Sequence, residues 1–76
     1  MVLSRTQLNE LTKAGLKKDQ IDVVIRNLEE LLNKKVVVRE VVDIVVNKLV
    51  KDEKFRELFF KDPREMIMEA NPQPSP

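Results

Sequence analysis

Apolar positions along this chain recur at helical intervals, and capping residues mark where each run begins. Leu8 and Leu11 lie on one side of the first run. Ser4 and Gln7 before them have the Ser-x-x-Gln spacing of a capping box, with Leu3 and Leu8 placed as a hydrophobic staple. The spacing predicts a helix from Arg5 to Ala14. Gly15 suits the left-handed residue after its cap, and Leu16 can fold back on Leu11 in a Schellman ending. Ile21, Val24, Ile25, Leu28, Leu31 and Leu32 then follow three or four apart, on one face of a helix over Lys18 to Asn33. Ile21, Val23 and Ile25 alternate with Asp22 as a short strand would, but Val24 breaks that alternation and the longer helical period prevails. Asn33-Lys34-Lys35 supplies the stop, with Asn tolerant of positive φ and the lysines facing the negative end of the helix dipole.

Val36 to Val50 has the highest β propensity in the chain, yet its polar residues argue for helix. Glu40, Asp43, Asn47 and Lys51 are spaced three, four and four, forming one narrow stripe on a helix otherwise clothed in Val and Leu. Val37 and Glu40 leave half a capping box, and the expected span is Val38 to Val50. A helix apolar nearly all round belongs at the centre of a fold or against another chain. Asp52 is an N-cap for a short helix to Lys61 carrying Phe55, Leu58 and Phe59. Asp62-Pro63-Arg64-Glu65 specifies another, to Ala70: an N-cap Asp, Pro at the first position and Glu at the third. Its apolar side is Met66, Ile67 and Ala70. The prolines of residues 71–76 stop the helix and favour an extended, mobile tail.

These elements predict an all-α fold: one domain over residues 1–70, a small bundle of four to five short helices around a central Val-rich helix. Short joining loops favour antiparallel neighbours. The expected core is Leu8, Leu11, Leu16, Ile21, Val24, Ile25, Leu28, Leu31, Val38, Val41, Val42, Val45, Leu49, Phe55, Leu58, Phe59, Met66 and Ile67. Val36, Val37, Ile44, Val46 and Val50 are apolar as well, more than a small bundle easily hides. The surplus predicts a homodimer or a protein partner, with Val37, Ile44, Val46, Val50, Phe55, Phe59 and Phe60 as the contact candidates.

Composition narrows the chemistry. A chain of 76 residues buries only about 60% of the surface exposed on unfolding, leaving little room for a deep substrate cavity beside a core. It holds no His and no Cys, which removes disulfides, zinc sites, thiol nucleophiles and imidazole bases together. The expectation is a protein that is not an enzyme and takes no cofactor, metal or small-molecule substrate. No signal-peptide core or run of 18 apolar residues is present, so no membrane is expected and the reading is cytoplasmic. Enrichment in Val, Ile, Lys and Glu with one Gly would suit a thermophile.

The carboxylate pairs Asp19 with Asp22, Glu29 with Glu30 and Asp52 with Glu53 are the only catalytic option left. They sit among lysines or at helix starts, where acidic residues serve the dipole instead. Leu28-Glu29-Glu30-Leu31-Leu32 matches the Leu-x-x-Leu-Leu pattern of helix-in-groove ligands, though core periodicity already explains its leucines. Net charge is +1, with ten basic against seven acidic residues up to Lys51 and four against six beyond. That is far from the basic excess of a phosphate-binding domain. A ribbon-helix-helix reading of residues 20–26 fails on Asp22 and on the short spacing to the Val-rich segment. A helix-turn-helix built from the first two helices is geometrically easier. It keeps DNA binding as the alternative, through Lys17, Lys18, Gln20 and Arg26.

Within Val45 to Met66, Asp52, Phe55, Leu58 or Phe59, Asp62 and Pro63 follow in order after an apolar helix. This stretch resembles part of the nitrile-hydratase-like leader domains of ribosomally synthesised, modified peptides. Those leaders have an apolar helix, an acidic step, a Phe-x-x-x-Leu-type helix, and Asp-Pro opening another. They are followed by a cleavage region and a modifiable core peptide, whereas here a Pro-rich tail follows. The resemblance covers about a third of the chain. It implies a non-catalytic docking domain for a modifying enzyme or carrier, with Phe55, Leu58, Phe59, Met66 and Ile67 as first contact candidates. Core packing accounts for the same five residues. The reading is therefore a small helical interaction or regulatory module, with a DNA-binding regulator as its rival.

Overall fold

A computed structural model describes residues 1–72, and residues 73–76 of the Pro-rich tail expected over 71–76 lie outside the described residues. Five helices follow one another: α1 (Arg5–Lys13), α2 (Lys18–Asn33), α3 (Val41–Lys51), α4 (Glu53–Lys61) and α5 (Pro63–Ala70). No strand occurs among the described residues. The all-α expectation holds.

Local chemistry sets the helix ends. Ser4 Oγ accepts the Gln7 backbone N–H at 3.1 Å while Gln7 Oε1 accepts the Ser4 N–H at 3.0 Å, a closed capping box. The end of α1 is the Schellman motif its sequence called for. The Leu16 N–H reaches the Leu11 carbonyl, the Gly15 N–H reaches that of Thr12, and Gly15 has φ 102°. Asp52 and Asp62 accept the backbone N–H groups of Phe55 and Glu65, opening α4 and α5, with Pro63 in the first turn of α5.

Two boundaries differ from expectation. The left-handed residue after α2 is Lys35, with φ 59°, and not Asn33. Asn33 still belongs to the helix, and the same pair of Schellman bonds forms two residues later, from Val36 N–H to Leu31 and from Lys35 N–H to Leu32. Helix α3 begins at Val41, three residues late. Val37 has no side-chain oxygen to close a capping box, and the Val38 N–H is held by Asn71 Oδ1 at 3.0 Å. Residues 38–40 instead form a tight turn whose carbonyls at Val38 and Arg39 accept from Val41 and Val42.

The core runs through every helix. Val41, Val42, Val45, Val46 and Leu49 make α3 its main contributor, and α3 packs against α1, α4 and α5. Helix α5, only eight residues long, bridges α2, α3 and α4 and seats Ile67 completely buried among them. Val2 and Leu3 also enter the core, which seals the end where α1 begins. Leu58 and Val38 do not. They are 39% exposed each, because Phe59 takes the inward position of α4 and Val38 lies in the turn before α3.

Tertiary hydrogen bonds pin this arrangement. Gln7 Nε2 donates to Asp43 Oδ1 at 2.8 Å, joining α1 to the polar stripe of α3. The Arg56 guanidinium donates to the Leu49 and Val50 carbonyls at 2.8 and 3.1 Å, so a cation of α4 satisfies the end of α3. No polar side-chain atom among the described residues is buried without a partner.

Candidate functional site

The residues expected at a protein interface separate into two groups. Val37, Val46, Phe55 and Phe59 are buried in the chain's own core, covered without a partner. Val37 is drawn in as the chain turns toward α3, and Val46 lies on the side of α3 that α1 covers. Phe59 meets Phe55 and Phe60 at ring-centroid distances of 6.1 and 5.1 Å, and Lys48 Nζ lies 5.7 Å from the Phe55 ring. Ile44, Val50 and Phe60 are half-buried, the last two packed on the core's edge. The surplus read from the sequence is largely absorbed by the bundle.

What remains at the surface is a different set. Val36 and Met68 are each 44% exposed and Val38 is 39% exposed, the two valines in the α2–α3 connection and Met68 near the end of α5. Asn71 joins the two segments. Its side chain accepts the Val38 N–H while its own N–H reaches the Met68 carbonyl at 3.2 Å. The sequence carried a signal for these residues: Val36 belonged to the apolar surplus, and Met68 falls between the inward positions Ile67 and Ala70. Nothing in their spacing, however, brings Val38 to Asn71. Leu58 is the remaining exposed large apolar residue of the helices.

The residues expected to meet nucleic acid lie along α2 and its start. Lys17, Lys18 and Arg26 are exposed and Gln20 is half-buried. Gln20 Oε1 is engaged by the Lys17 N–H at 2.8 Å, so part of its hydrogen-bonding capacity serves the helix start. Lys18 and Arg26 are eight residues apart, about 12 Å along the axis. Asp19 and Asp22 stand between them, and both acids line a shallow recess with Ile25 and Arg26. The face carries alternating charge and no basic groove.

One member of each carboxylate pair has structural work. Asp52 caps α4, and Asp19 Oδ1 accepts the Gln20 N–H at 3.0 Å. Glu30 bonds Lys34 at 3.1 Å and Arg64 at 2.8 Å, tying α2 to α5. The Lys34 hydrogen bond and charge, then the Arg64 charge, hold the Glu30 carboxyl below its ordinary value. Among the described residues, no group of three His, Cys, Asp or Glu side chains could hold a metal ion. No helix among them is long and apolar enough to cross a membrane.

Comparison with protein-family models, with curated proteins and with solved structures finds no match to this chain.

Proposed function

We propose that the chain is a small helical interaction module that acts by binding and carries out no reaction of its own. The observation that supports this reading is the exposure of Val36, Val38 and Met68. They stay at the surface after every helix has packed, with the backbone of Val38 and of Met68 each bonded to Asn71. Preorganised apolar surface favours association because little ordering entropy remains to be lost. Leader-like docking on a modifying enzyme is one form of this reading, and Leu58 is then the exposed apolar residue of the resembling segment.

The rival, a DNA-binding regulator using α1 and α2, gains little from a face on which Asp19 and Asp22 interrupt the cations. Light scattering at two protein concentrations, with and without a short mixed-sequence duplex at low salt, separates the two. The module reading expects no stable complex with the duplex. A complex that forms and dissolves on adding salt would overturn it in favour of phosphate contacts.

A further inference from the structure

We draw no further inference here: the strongest candidate, the exposed apolar residues Val36 and Val38 in the α2–α3 connection with Met68 near the end of α5, carries nothing, because nothing in the structure shows what covers them.

Discussion

Replacing Lys35 by glycine should stabilise the fold, and the size of the gain follows from one dihedral angle. Lys35 has φ 59° because the end of α2 needs a left-handed residue there for Val36 and Lys35 to reach the Leu31 and Leu32 carbonyls. For a residue with a Cβ that conformation costs roughly 1–2 kcal/mol, which glycine avoids. Glycine also frees the unfolded chain, an opposing effect of about 0.4–1 kcal/mol. The Lys35 side chain is exposed and joins neither ion pair, so little else is lost.

The net gain is about 0.5–1 kcal/mol, or about 2–8 °C in Tm for a domain of this length. Gly15 supplies the converse. It has φ 102°, and a Cβ added there would meet nothing within 4 Å. Gly15→Ala should thus lose about 1 kcal/mol through backbone conformation alone. Lys34→Gly, at a helical φ of −81°, is the control and should lose roughly 0.5–1 kcal/mol. Urea unfolding followed by far-UV circular dichroism is the assay, since the chain has no Trp or Tyr to report by fluorescence. A Lys35→Gly protein no more stable than wild type, or a Gly15→Ala protein as stable as wild type, would refute the argument.

Three further outcomes can be measured by the same unfolding assay. Asp62→Ala removes the acceptor for the Glu65 N–H at the start of α5 and should cost about 1 kcal/mol, with Asp62→Asn retaining most of the stability. Leu3→Ala should cost about 2–4 kcal/mol because Leu3 is 4% exposed, whereas Leu58→Ser should stay within about 0.5 kcal/mol of wild type. Comparable losses at both positions would mean that the two burials are misassigned. Glu30 has a lowered carboxyl value in the folded chain, so its contribution is present above the ordinary 4.5 and is lost as pH falls through the lower folded value. Glu30→Gln should accordingly flatten the acid side of the stability profile. An unchanged acid limb would show that its bonds to Lys34 and Arg64 add nothing in solution.

Much of the architecture is legible in the amino-acid order because it is decided within a turn or two of each residue. Ser4 with Gln7, Gly15 with Leu11 and Leu16, Asp52, and Asp62 with Pro63 each satisfy local backbone groups, and their helices end within one residue of where those signals fall. The polar stripe of Glu40, Asp43, Asn47 and Lys51 likewise revealed a helix beneath strong β propensity. That helix starts three residues after the expected Val38 because Val38 is held by Asn71, 33 positions away, a bond that no local rule contains.

Tertiary packing decided which apolar residues were left over. Periodicity marks a face as apolar but does not count how many neighbours will cover it. Helix α5 closes over α2, α3 and α4, and Val2 and Leu3 fold inward, so Val37, Val46, Phe55 and Phe59 find cover within the chain. Val36, Val38 and Met68 do not. They lie in a connection and near a helix end that only the closed fold ties together, through the bond from Val38 to Asn71, 33 positions away, so the sequence supplied these side chains and tertiary packing decided that they stay exposed.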